Sequence, residues 1–103
     1  MNDISSYLLM VVTYTTKPGL RLAFHEVILR EGLQEASRQE TGNIVYDYFL
    51  SVDRPDELLL VEKWIDKEAL TLHKTLPHFL RLQALKEKFI DSVSVVITQI
   101  DPK

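Results

Sequence analysis

Cysteine is absent from the 103-residue chain. That excludes disulfides, thiolate metal sites and a cysteine nucleophile, and it is compatible with a reducing compartment. Glycine is nearly as scarce, with three in the whole sequence. There is no glycine-rich phosphate loop, no G-x-S-x-G elbow and no G-x-G-x-x-G fingerprint, so no organic cofactor is expected. Basic residues do not predominate: 12 Lys and Arg face 15 Asp and Glu, a net charge of −3. Scattered as they are, they give no footprint for nucleic acid and no polybasic membrane contact. The one early apolar run, Tyr7 to Val12, is too short to span a bilayer and has no basic leader. A soluble, cytoplasmic protein is expected.

The chain is 46% hydrophobic, enough to fold, and has no linker, repeat or low-complexity tract. Residues 1–103 read as a single domain whose polar residues 1–6 form a loose tail. A domain this small buries only ~60–70% of the surface its unfolded chain exposes. Its core is thin, and self-association is expected.

Hydrophobic periodicity lays out the elements. Tyr7 to Thr16 is β-branched and aromatic, a strand whose apolar middle implies burial on both faces. Lys17-Pro18-Gly19 ends it. From Leu20 to about Gln39 the spacing of Leu20, Phe24, Val27 and Ile28 predicts a helix, with Gly32 as a point where it could kink or break. Thr41-Gly42-Asn43 stops that helix. Ile44 to Val52 and Leu58 to Ile65 are strands joined by the turn residues Asp53-Arg54-Pro55-Asp56. Asp66 is placed to cap a short helix over 67–74. Pro77 opens a second helix running to about Phe89, and Ser92 to Ile100 is a fourth strand. The order β-α-β-β-α-β predicts an α+β, ferredoxin-like antiparallel sheet with helices on one face. The apolar first and last strands imply that a second copy covers the other face.

Chemistry concentrates in the segment from Leu58 to Phe79, which holds Glu62, Trp64, His73, His78 and Phe79. Glu62 and Trp64 share one face of a strand. A buried carboxylate must be paired or protonated, so Glu62 is either salt-bridged or a general base with a raised pKa. Trp64 is a core, interface or pocket residue. His73 and His78 are either satisfied structural histidines or proton-transfer groups. Their spacing across a proline is not the i, i+4 pair of zinc proteases, and no metal site is expected.

The succession Lys17-Pro18-Gly19, Glu40-x-Gly42-Asn43, Ser51-x-Asp53-x-Pro55, Glu62-x-Trp64-x-Asp66 and His73-x4-His78-Phe79 resembles the antibiotic biosynthesis monooxygenase family, from about Leu8 to Ile100. The resemblance implies a ferredoxin-like subunit that pairs into a dimeric α+β barrel, with a pocket between sheet and helices. It also implies, for one branch, cofactor-independent oxidation of a hydroquinone or polyketide-like aromatic by O2. In that reading Trp64, Tyr48 and Phe79 bind the substrate ring. His73 or Glu62 removes its hydroxyl proton, and His78 orients or stabilises the resulting oxyanion. A second branch, isomerases of phosphorylated autoinducer-2, shares the string His73-Lys74-Thr75-Leu76-Pro77-His78. It departs at Gln34, where that branch has a histidine, and its phosphate would call on Lys74 or Arg81. Haem-degrading members differ at Val12 and His73. The remaining alternative is a non-catalytic dimeric ligand-binding domain.

Overall fold

In the computed structural model, which describes residues 6–102, the first strand β1 (Tyr7–Thr16) has the predicted bounds. It alternates strictly: Leu8, Met10, Val12, Tyr14 and Thr16 are buried on one face and their neighbours half-buried on the other. That is the period-2 signature of a sheet with helices on one side; the expected burial of both faces is not met within the single chain, whose outer face is half-buried. Most of the predicted loose tail lies outside the described residues; Ser6 is tied down by a hydrogen bond from its Oγ to Asp101 Oδ1 at 2.9 Å.

The predicted helix over residues 20–39 is two helices, α1 (Arg21–Arg30) and α2 (Leu33–Arg38). Gly32 separates them at φ +70°, a left-handed conformation that glycine adopts without a Cβ penalty. α1 buries Phe24 and Ile28, and α2 starts afresh with Leu33 and Ser37 inward. The kink or break allowed for at Gly32 is a break.

β2 (Asn43–Leu50) and β3 (Glu57–Trp64) each begin one residue before the predicted strand, and β2 ends at Leu50 rather than Val52. α3 (Lys67–His73) carries the predicted cap, with Asp66 Oδ1 accepting the Ala69 N–H at 2.8 Å. α4 (Pro77–Phe89) has Pro77 in its first turn, and β4 (Ile90–Ile100) follows without a loop.

The four strands form one antiparallel sheet in the order β2-β3-β1-β4. The fold is thus α+β and ferredoxin-like. Register places Glu62 opposite both Met10 and Tyr46, and Met10 opposite Ile97. The helix-side face holds a core of Val12, Tyr14, Phe24, Ile28, Tyr46, Leu58, Leu60 and Trp64, closed by Leu82, Leu85 and Phe89 of α4. The edge strand β4 is exposed over most of its length, Val95 and Val96 included. No helix among the described residues is long and apolar enough to cross a membrane.

Candidate active site

A cavity of about 200 Å³ opens on the helix side of the sheet. Its floor is Met10, Val12 and Tyr14 of β1, Tyr46 of β2 and Glu62 of β3; α3, α4 and the apolar residues of β4 complete the wall. It is an apolar slot with a few convergent polar groups, the usual make-up of a small-molecule site.

His73 sits on that wall at the last turn of α3, 2% exposed. Its ring meets Phe79 edge-on at 5.2 Å and leans on Trp64 at 4.6 Å. Behind it stands Glu40, in the turn between α2 and β2. Glu40 Oε2 lies 2.5 Å from His73 Nδ1 and 2.7 Å from His78 Nε2. An ionised carboxylate only accepts, so each imidazole donates an N–H to it. The His73 tautomer is thereby set as Nδ1–H, with the Nε2 lone pair free of any protein donor among the described residues. Burial lowers the His73 pKa, while the Glu40 carboxylate pulls it back up. The neutral base form is favoured, in an oriented ring.

The approach of α3 that brings His73 to Glu40 depends on Gly42. A Cβ at that position would stand 2.4 Å from Ala69 Cβ, so only glycine lets the start of β2 lie against α3. The Gly42 carbonyl also accepts the Ile65 N–H at 2.9 Å, pinning the turn to the end of β3.

Glu62 is the second polar group, 3% exposed on the cavity floor. Its Oε1 accepts the Trp64 indole N–H at 2.9 Å. Burial pushes its carboxyl up to about 7, against the opposing pull of that indole bond. Glu62 therefore exchanges its proton near neutrality. Tyr14 and Tyr46 beside it are held as phenols, their pKa values raised by burial.

Of the residues singled out in the sequence, Glu62, His73 and Phe79 line the cavity. Trp64 does not: it is fully buried behind the wall, facing the helices, where it holds Glu62. Tyr48 shares the face but packs away from the cavity, between Tyr46 at 6.0 Å and His25 at 5.6 Å, its buried hydroxyl without a partner among the described residues. His78 does not line the cavity; it bonds Glu40 and stands 5.6 Å from the His73 ring. Gln34 is committed to the Tyr46 carbonyl at 3.1 Å, and Arg81 to Glu31 by two bonds of 2.7 and 2.9 Å. Sequence reasoning missed Glu40 as a site residue, although its Glu40-x-Gly42-Asn43 motif was visible. It also missed Tyr14, Tyr46 and Lys86 on the wall.

Glu40, His73 and His78 offer donor atoms within 4.8 Å of one another, a set that could in composition hold a metal ion. Their spacing is that of hydrogen bonds. Ligands on one zinc at 2.0–2.2 Å stand roughly 3.4 Å apart in a tetrahedron, wider than the 2.5 and 2.7 Å contacts to a single carboxylate oxygen. As placed, the three groups are a proton-sharing cluster.

Comparison with known proteins gives consistent matches. The family model for antibiotic biosynthesis monooxygenase matches residues 8–85. The Putative monooxygenase YcnE of Bacillus subtilis is 31% identical over 71 residues, covering 68% of this chain and 75% of that protein. The crystal structure of PA3566 from Pseudomonas aeruginosa superposes with a TM-score of 0.80 at 30% identity, covering 99% of each chain. That of SO0527 from Shewanella oneidensis reaches 0.84 at 21% identity, over 94% of this chain and 93% of that one, a likeness of fold.

Proposed function

The chain belongs to the antibiotic biosynthesis monooxygenase family, and from that premise we propose that it is a cofactor-independent monooxygenase of an electron-rich hydroquinone or polyketide-like aromatic. The observation that carries the reading is the His73 ring, oriented by Glu40 and presented beside Glu62 on an apolar cavity. His73 Nε2 takes the hydroxyl proton of the bound ring, and Glu40 steadies the imidazolium that forms. The phenolate is the electron source for O2. One oxygen atom enters the ring and the other leaves as water, the product being the hydroxyquinone. Glu62, near its own titration point, returns or accepts a proton at the opposite ring oxygen. Phe79 packs against the substrate ring. Trp64 and Tyr48 support the wall from behind, and His78 holds Glu40 in place rather than touching substrate.

In the same reading the whole chain is one such domain, working in the cytoplasm as a homodimer. The outer face of the sheet supports the pairing: Leu9, Val11, Leu59 and Val61 are half-buried, and Phe49 and Val96 are 52% and 57% exposed. A contiguous apolar face of this kind is covered in stable proteins. Sedimentation at micromolar concentration is expected to give a dimer; a well-folded monomer would remove the pairing from the proposal.

Oxygen uptake by the purified protein with a panel of hydroquinones, beside His73→Ala and an enzyme-free blank, tests the chemistry. Enzyme-dependent uptake lost in the variant supports it, and no uptake above the blank sinks it. A second reading, isomerisation of a small phosphorylated hydroxy-diketone, is favoured by one observation: Lys74 and Lys86 both line the cavity. It predicts turnover without oxygen consumption.

A further inference from the structure

Lys86 occupies an unusual position for an ammonium group. It is half-buried on the cavity wall, with Nζ 2.8 Å from Gln83 Oε1 and 5.6 Å from the centre of the Tyr14 ring. Both partners are neutral. No carboxylate lies within 4.0 Å of it among the described residues; the ion pairs found there join Arg30, Arg38, Arg54, Arg81, His73 and His78 to acids. Lys74 lines the same cavity from the end of α3 and is likewise without an acid partner. Glu62, on the floor between them, feels both charges and engages neither; its Oε1 is taken by Trp64. Burying an ammonium without a counter-charge is costly, and here burial depresses the Lys86 pKa with only the distant Glu62 to oppose it.

A cation kept half-dry at the wall of an apolar slot, with donor capacity unspent, is a recognition element for an anion. We propose that the side of the cavity between α4 and β4 is an anion subsite, in which Lys86, steadied by Gln83, binds an oxyanionic substituent on the substrate ring. The substrate class is thus narrowed to small aromatics that carry a carboxylate or phosphate beside their oxidisable hydroxyls. The substituent docks near Val93 and Val95, and the hydroxyls fall toward His73 and Glu62 on the other side. A cavity of about 200 Å³ suits one ring with its substituents. A charge-assisted contact of this kind orients as well as binds, since it fixes which edge of the ring meets the base.

The subsite rests on reading this cavity as the substrate site, but not on the oxidation, and anaerobic calorimetry separates the two. Three ligands share a ring with two free para hydroxyls: hydroquinone, 2,5-dihydroxybenzoate and 2,5-dihydroxyphenyl phosphate. The wild-type protein is expected to bind at least one anionic ligand about 10-fold or more tightly than hydroquinone. Whichever anion gains more identifies carboxylate or phosphate. Lys86→Gln should lower the affinity for the anions at least about 10-fold relative to that for hydroquinone, erasing the preference, and Lys86→Arg should retain most of it. Equal affinity for all three ligands overturns the subsite, as does an equal loss for all three in Lys86→Gln, or no binding of any at millimolar concentration. Anion-selective binding without oxygen uptake would leave the subsite standing and remove only the monooxygenase reading.

Discussion

Glu40 and His73, 33 residues apart in sequence, meet through a 2.5 Å contact between Oε2 and Nδ1. The contact orients a buried histidine and leaves its other ring nitrogen without a protein donor among the described residues. It is the logic of an acid that fixes a histidine tautomer without itself taking the proton.

Glu40→Gln removes the charge and leaves the shape. Turnover is expected to fall by about 10²–10⁴-fold with little change in KM. The carboxylate raises the His73 pKa, so its loss should also move the acid limb of the kcat/KM profile to lower pH. A purely structural Glu40 would lower activity without moving that limb.

His73→Ala takes away the proposed base itself. A loss of kcat of about 10²–10⁴-fold is expected in oxygen-uptake assays. Unfolding must be separated from chemistry, because the side chain is buried. A far-UV spectrum and a cooperative melt close to wild type, together with retained ligand binding, would assign the loss to chemistry. Unchanged kcat would remove His73 from the mechanism.

Glu62 makes stability depend on pH in a calculable direction. Its carboxyl moves from an ordinary value of 4.5 to about 7 on folding. Between those values the native state keeps a proton that the unfolded chain has already lost. Stability therefore falls as pH rises through that window and levels off above it, by on the order of 3 kcal/mol at most. Glu62→Gln is expected to remove the slope, being more stable than wild type at pH 8 and similar at pH 4. Denaturant melts across that range measure it; an unchanged slope would show that another group is responsible.

Gly42→Ala probes the packing that delivers His73. The added methyl would stand 2.4 Å from Ala69 Cβ, and overpacking of this kind costs about 1–3 kcal/mol. A lower melting temperature is expected together with reduced turnover, since α3 must shift away from Glu40. Full activity in a destabilised variant would show that α3 placement has slack.

Much of the fold was legible because it is written in local patterns. The β-branched and aromatic run of β1, the cap at Asp66 and the proline opening α4 each act within a few residues, and all three stand where the sequence puts them. The break at Gly32 was legible only as an option, since a glycine inside a helical pattern states a weakness and not its use. Glu62, His73 and Phe79 stood out as polar or aromatic residues in a short apolar segment, and they do line one cavity. Glu40 did not stand out, because its partners lie 33 and 38 residues away. Nothing local in the sequence marks Lys86. Only the uncovered flank beside β4 makes it part of a wall.

The strand order carries a consequence for how the protein comes into being. β1 is made first yet sits in the middle of the sheet, paired on one side with β3 and on the other with β4, Tyr7 facing Ile100. During synthesis its second edge must wait for the last strand. A nascent chain that ends before Ile90 presents β1 with one row of backbone groups unpaired, open to other chains. The pairing that completes the sheet is also the longest-range one, and long-range pairing is slow to form. Until β4 pairs, the apolar strand β1 keeps an open edge, and that interval is where chaperones or a shortened chain would decide between product and aggregate.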